Sequence, residues 1–166
     1  MKDLNDIAQE AQRRKYPNVP DHALPKPRYT DKTANGLTKA IIDYLRLEGW
    51  QAERINTQGR YIDESKTYVD VLGHARRIGT GKYIPTSGQK GSADISATIT
   101  GRSVKIEVKM KDKQTENQKE FQRQIEASGG IYFIARSWKD FIKWYEAFNQ
   151  GDTGGQLDIV RSFKYR

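Results

Sequence analysis

The chain has 166 residues, enough for one domain that buries about 70% of the surface its unfolded form exposes. Its 29 Lys and Arg against 21 Asp and Glu leave a net charge of +8, which favours an anionic partner, nucleic acid first. The absence of cysteine excludes disulfides, thiolate metal centres and cysteine catalysis, and two distant histidines, His22 and His74, argue against a histidine-rich zinc site. No apolar run approaches the roughly 20 residues that span a bilayer. The charged start Met-Lys-Asp-Leu-Asn-Asp is unlike a secretory signal, so no membrane association and a cytoplasmic protein are expected, in a host cytoplasm if the chain is viral.

Residues 1–30 hold Pro17, Pro20, Pro25 and Pro27 and the basic triplet Arg13-Arg14-Lys15. A short helix over 4–14 followed by extended chain reads as an N-terminal arm, lying over the domain or reaching towards a partner; a solvated tail is the plain alternative. Residues 31–166 read as a single domain, with its core at 33–148 and a C-terminal extension at 149–166. Leu37, Ala40, Ile41, Tyr44 and Leu45 recur at helical spacing and predict a helix from Thr33 to Glu48, stopped by Gly49.

Trp50 to Asn56 alternates as a strand does, with Arg54 and Asn56 on one side and Arg60 after a Gln-Gly turn. Over 60–92 the pattern weakens. Tyr68–Leu72 suggests a short strand, whereas Gly73, Gly79, Gly81, Pro85, Gly88 and Gly91 predict loops. From His74 to Ser92 the chain carries Arg76, Arg77, Lys82 and Lys90 and no acid, a candidate wall facing phosphates. Tyr61, Tyr68 and Tyr83 are read as packing residues before base-stacking ones.

Residues 94–109 carry the chemistry. Asp94-Ile-Ser-Ala-Thr-Ile-Thr and Ser103-Val-Lys-Ile-Glu-Val-Lys109 both alternate polar and apolar, flanking Gly101-Arg102. A type II′ turn at Gly101-Arg102 predicts a hairpin pairing Ile95 with Val108, Ala97 with Ile106 and Ile99 with Val104 on one apolar side. On the other side Asp94 faces Lys109 and Ser96 faces Glu107, which makes Asp94 and Glu107 diagonal neighbours roughly 7 Å apart at the backbone. Two carboxylates at that spacing suit Mg²⁺, a hard cation that keeps waters able to attack a phosphodiester. Asp94 and Glu107 are the candidate metal ligands, with the Val108 carbonyl a third. Lys109 is the group that orients the water or stabilises developing charge. The bland counterpart is an Asp94–Lys109 surface ion pair worth roughly 0–1 kcal/mol.

Beyond the hairpin, Lys111-Asp-Lys leads into a helix from Thr115 to Ser128 whose thin stripe, Phe121 and Ile125 with Gln118 and Gln114, turns Gln118 towards the sheet. Ile131–Ala135 reads as a central strand. Ser137-Trp-Lys-Asp140 resembles a capped helix start, with Phe141, Trp144, Tyr145 and Phe148 as the buried stripe. Leu157–Val160 reads as an edge strand. The order predicts a mixed α/β domain, a small mixed sheet flanked by helices.

Gly91-Ser-Ala-Asp94 followed by Ile106-Glu-Val-Lys109 resembles the signature of the PD-(D/E)xK nuclease superfamily. With Gln114-Thr-Glu-Asn-Gln118, Gly129-Gly130 and the strand after them, the chain resembles its VRR-NUC branch over about residues 33–142. The resemblance implies a restriction-endonuclease-like core of a helix, a three-stranded meander, a helix and a further strand. It also implies Mg²⁺- or Mn²⁺-dependent endonuclease activity on DNA, with branched substrates such as Holliday junctions or flaps and a homodimer at four-way junctions. Asp94, Glu107 and Lys109 are then catalytic and Gln118 supports them. Members usually place a glutamate near the start of the first helix; Thr33 to Lys39 has none, and Asn35, as metal or substrate ligand, is the nearest equivalent. Arg54, Asn56, Arg60, Arg76, Arg77, Lys82, Lys90 and Lys111 are the expected nucleic-acid contacts. The rival readings are a non-catalytic DNA-binding module and a restriction-type endonuclease.

Overall fold

The computed structural model describes residues 1–56, 59–85 and 88–151. Helices α1 (Lys2–Lys15) and α2 (Ala34–Leu47) precede strand β1 (Gln51–Arg54). Four short strands follow: β2 (Arg60–Asp63), β3 (Lys66–Val69), β4 (Ala75–Ile78) and β5 (Gly81–Ile84). Then come β6 (Ile95–Ile99), β7 (Arg102–Val108), helix α3 (Glu116–Ala127), strand β8 (Ile131–Ala135) and helix α4 (Trp138–Gly151). The fold is mixed α/β. One four-stranded sheet runs β1-β6-β7-β8, antiparallel except for the parallel pair β7–β8, whose crossover is α3.

The alternation in β6 and β7 sets the core. Ile95, Ala97, Ile99, Val104, Ile106 and Val108 are buried on one side of the sheet, against Leu37, Ile41 and Leu45 of α2 and Phe141 and Tyr145 of α4. Tyr44 of α2 meets Trp138 and Tyr145 edge to face at 5.4 Å, the arrangement aromatic quadrupoles favour. The opposite side of the hairpin carries Asp94, Ser96, Lys105 and Glu107, and α3 lies against β8.

Residues 1–30 are folded onto the domain. Leu4 is fully buried in the common core and Ala8 nearly so, because α1 packs on α2. Asn5 Oδ1 accepts the Tyr29 N–H at 3.1 Å, and the Tyr29 hydroxyl donates to Asp43 of α2 at 3.0 Å. The prolines thus route the chain from α1 back to α2, and the solvated-tail alternative does not hold.

The hairpin turns one residue earlier than expected. Its closing pair is Ile99↔Arg102, and the turn residues Thr100 and Gly101 both have positive φ, 50° and 79°, as a type I′ turn requires. Pairing therefore runs Ile95↔Ile106, Ser96↔Lys105 and Ala97↔Val104. The two registers differ by a two-residue slip, which leaves every side chain on the same face, so the apolar alternation cannot choose between them. The observed one gains a hydrogen bond from Lys105 Nζ to Ser96 Oγ at 2.6 Å and ends where Asp94 takes the Val108 N–H.

Two further expectations are corrected. Strand β8 pairs with β7 alone, so among the described residues it is an edge and not a central strand. Its apolar run is explained by cover from α3 and α4, including Phe133 stacked on Trp144 at 4.5 Å. Over residues 60–84 the expected loops hold at Gly73 and Gly79, whereas Gly81 lies within a strand and most of the segment is paired. The β2–β5 and β3–β4 pairs keep the same register on either side of a break at 64–65 and 79–80, from Arg60↔Ile84 to Val69↔Ala75, forming one β-ribbon in two halves with its tip at Asp70–His74. Gly81 marks a close approach inside it, where the Tyr61 ring occupies the place of a side chain. The strand expected at Leu157–Val160 lies outside the described residues, as does the extension from 152 onwards. Among the described residues no helix is long and apolar enough to cross a membrane.

Because α1 is core, Leu4→Ala is expected to lower the free energy of unfolding by about 2–4 kcal/mol, measured by urea denaturation. An effect below about 0.5 kcal/mol, the range of surface substitutions, would contradict the docking of α1.

Candidate active site

The site is assembled at the end of the β6–β7 hairpin from three chain segments. Asp94 precedes β6, one residue before the pair Ile95↔Ile106, and so lies level with Glu107. One of its oxygens, Oδ2, accepts the Val108 N–H at 2.9 Å, and its own carbonyl accepts the Ile55 N–H at 2.8 Å. Those bonds fix the carboxylate beside β7. An extended residue projects its N–H and C=O to the same edge, which puts the Val108 carbonyl on the Asp94 side.

Glu107 is 3% exposed, one of the two buried polar or charged residues among those described, with Thr38. Gln118 Nε2 donates to Glu107 Oε1 at 2.5 Å, and Lys109 Nζ stands 3.3 Å from the same oxygen. The other oxygen, Oε2, is buried without a hydrogen-bond partner. Burial, and then the charge of Asp94, push the Glu107 carboxyl up to about 7, against the pull of Lys109 in the opposite direction. Tyr132 on β8 feels the same surroundings: burial first, then the Glu107 charge, raise its hydroxyl to about 12.

Helix α3 holds Gln118 in place by a capping box, so the plain alternative for this residue, that it caps or bridges backbone groups, is met alongside its contact with Glu107. Thr115 caps the helix in a reciprocal box: Thr115 Oγ1 accepts the Gln118 N–H at 3.4 Å and Gln118 Oε1 accepts the Thr115 N–H at 2.9 Å. One amide therefore caps the helix with its oxygen and holds Glu107 with its nitrogen. The signal was present as Thr115-Glu-Asn-Gln118, a capping-box spacing. Gly91, which opens the Gly-Ser-Ala-Asp94 motif, has a packing role that spacing alone does not show. Its φ is +83°, and a Cβ there would fall 2.3 Å from the Asn117 carbonyl oxygen, so only glycine lets the segment before Asp94 touch the first turn of α3.

Asp94, Glu107, Val108, Lys109 and Gln118 are thus brought together, although not by the expected pairing. Lys109 contacts Glu107 in place of Asp94 because of the register change. At the start of α2, Asn35 Oδ1 accepts from Arg54 Nη2 at 2.7 Å. Of the basic residues, Arg60, Arg76, Arg77 and Lys82 gather on the ribbon. Arg76 pairs with Asp70 at 2.7 Å and Arg77 with Asp63, so the acid-free stretch read from the sequence meets acids from the facing strand. Asn56 follows β1, and Lys90 and Lys111 are exposed in the loops before β6 and after β7.

A divalent cation fits this donor set. Two carboxylates and a carbonyl supply hard oxygens, and the orphaned Glu107 Oε2 is a buried acceptor in need of a cation or proton. The described residues hold no group of three or more His, Cys, Asp or Glu able to take a metal, so a cation here would rely on Asp94, Glu107, backbone oxygen and water.

A folded-state pKa near 7 for Glu107, above its ordinary 4.5, means the native protein binds more protons than the unfolded chain between those values. The stability this supplies is present below about 4.5 and is lost as pH rises through 7. In EDTA, the melting temperature of wild type relative to Glu107→Gln is expected to fall by roughly 5 °C between pH 5 and pH 8. Parallel pH profiles for the two proteins would refute the burial of this charge. Gly91→Ala is expected to destabilise by about 1–3 kcal/mol in urea titration through the strain at positive φ alone, with the clash on α3 added.

No protein-family model matches the chain, and no curated protein matches it.

Proposed function

We propose that the chain is a divalent-metal-dependent endodeoxyribonuclease of the PD-(D/E)xK type, in its VRR-NUC branch. It hydrolyses DNA phosphodiesters at branched structures such as junctions or flaps during replication, recombination or repair. The observation that carries this reading is the asymmetric Glu107 carboxylate: one oxygen is held by Gln118 and Lys109 while the other is buried and without a hydrogen-bond partner. A purely structural glutamate would have both oxygens satisfied, since a bare buried acceptor costs about 1–3 kcal/mol.

Asp94, Glu107 and the Val108 carbonyl would hold Mg²⁺ or Mn²⁺, which supplies charge neutralisation on the phosphate and an acidified water. Every other role belongs to the chain. Gln118 holds one oxygen of the Glu107 carboxylate and so limits its rotation. Lys109, held by Glu107, places an ammonium where negative charge grows on the phosphate and its leaving oxygen, and it can position the attacking water. The Val108 N–H keeps Asp94 from turning away. The positive balance of the chain brings the polyanion to the site. Work on duplex branches in two symmetric cuts points to a homodimer, acting in the cytoplasm of the cell or host.

One observation favours the rival, a DNA-binding module without turnover: the first turn of α2 offers no acid and its Asn35 is engaged by Arg54. Cleavage separates the two. With Mg²⁺ or Mn²⁺, wild type is expected to nick or cut four-way or flap DNA. Asp94→Asn and Lys109→Ala should each lose at least about 100-fold, the scale of removing one charge-stabilising group, while retaining DNA binding. Wild type that cuts no linear, flap or four-way DNA with either cation leaves the binding module. Ordered fragments from a plasmid, with synthetic junctions intact, would favour a restriction-type enzyme.

A further inference from the structure

The β-ribbon at residues 60–84 is inserted between β1 and β6, and its two ends leave the sheet where the Ile55 N–H meets the Asp94 carbonyl. The candidate ligand Asp94 therefore stands where the chain that returns from the ribbon rejoins the sheet, ten residues after Ile84. Ten residues per strand at about 3.3 Å give it a length of roughly 30 Å, close to one turn of B-DNA at about 34 Å. Its strands pair with each other and form no extensive contact with another described element. A lone two-stranded ribbon is marginal in water, so such an arm gains its order from what it lies on.

The side chains say what that is. Strand register places Arg60 and Lys82 on one face of the β2–β5 half, and Lys66, Tyr68 and Arg76 on one face of the β3–β4 half. The Arg77–Asp63 ion pair crosses the break between the halves, which joins their other faces on one side and leaves these cations together on the opposite side. Two of the ribbon's three acids are already neutralised; the third, Glu64, is exposed between Arg60 and Lys66 and is outnumbered there by Arg60, Lys66 and Lys82. Asp63 is taken by Arg77 and by Ser65, and Asp70 by the Leu72 and His74 N–H groups and by Arg76; both carboxyls sit below their ordinary range for these reasons, backbone and serine hydrogen bonds first. Among the described residues no ion pair includes Arg60, Lys66 or Lys82.

We infer that the ribbon is a DNA-contacting arm: it lays its Arg60–Lys66–Lys82 face along a groove of the duplex beside the scissile phosphate. The major groove, about 12 Å wide, admits a two-stranded ribbon. The inference rests on the nuclease reading for the place of the cut, but not for the binding. Phosphate contacts of this kind position a protein without reading sequence, which suits an enzyme that selects DNA by structure.

The test is binding of full-length protein to a 30-base-pair duplex in EDTA, across salt concentrations, so that no turnover is needed. The variant Arg60→Ala/Lys66→Ala/Lys82→Ala is expected to bind at least about 10-fold more weakly, with a salt slope smaller by about 2–3, since each phosphate contact contributes about 0.9. Lys66→Arg/Lys82→Arg, which keeps the charge, should bind within about twofold of wild type, separating charge from any disturbance of the ribbon. An unchanged affinity and slope in the triple-alanine protein overturns the proposal, as does wild type that fails to bind duplex. The exposed tip residues Val71 and Leu72 are what a second copy would grip. Should Val71→Ser/Leu72→Ser halve the mass in sedimentation while triple-alanine binding stays at the wild-type level, the arm is a protein–protein contact and the proposal falls. Wild type that binds through the arm yet never cleaves would sink the nuclease reading alone.

Discussion

The burial of one carboxylate organises this domain. Glu107 sits in the sheet's second strand from the β8 edge with 3% of its surface accessible, and a charge so placed is tolerated only with hydrogen-bonded and ionic partners. Those partners come from two directions: Lys109 from its own strand and Gln118 from the crossover helix. The crossover is thereby a constraint on side-chain position as well as on topology. Helix α3 has to begin where its first-turn amide reaches β7, and the glycine contact at residue 91 brings the segment before Asp94 to that same turn.

Much of this was legible in the sequence because period-two and period-3.6 patterns are strong over β6, β7, α2 and α4, where one face is apolar. The face of each hairpin residue followed from that pattern, and with it the grouping of Asp94, Glu107 and Lys109 on the polar side. The register did not. A slip of two residues is invisible to alternation, and the choice fell to a threonine adopting positive φ at position 100, which residue preferences disfavour for a β-branched side chain. Gln118 was read as facing the sheet or, alternatively, as capping backbone groups; it does both, because a capping box is a local contact and its bond to Glu107 a tertiary one.

The basic stretch shows a different kind of limit. Charge runs read along the chain took Arg76 and Arg77 as open to phosphate, but pairing across a ribbon sets them against Asp70 and Asp63 from the facing strand and its tip. Gly81, which looked like loop punctuation, is a close approach under the Tyr61 ring. Asn35 and Arg54, read separately, are hydrogen-bonded to each other from nineteen positions apart in the chain. In each instance the missing quantity was long-range pairing, which composition and spacing do not carry.

The placement of the ribbon has an architectural consequence. Its roots are clamped by one backbone hydrogen bond between Ile55 and Asp94, so the sheet experiences the whole excursion as a closed loop. Loop-closure entropy grows only logarithmically with length, about 0.6 kcal/mol per doubling. The central scaffold is therefore nearly indifferent to how long that excursion is or what it displays, and the chain can exchange its reach towards other macromolecules without rebuilding the chemistry at its base.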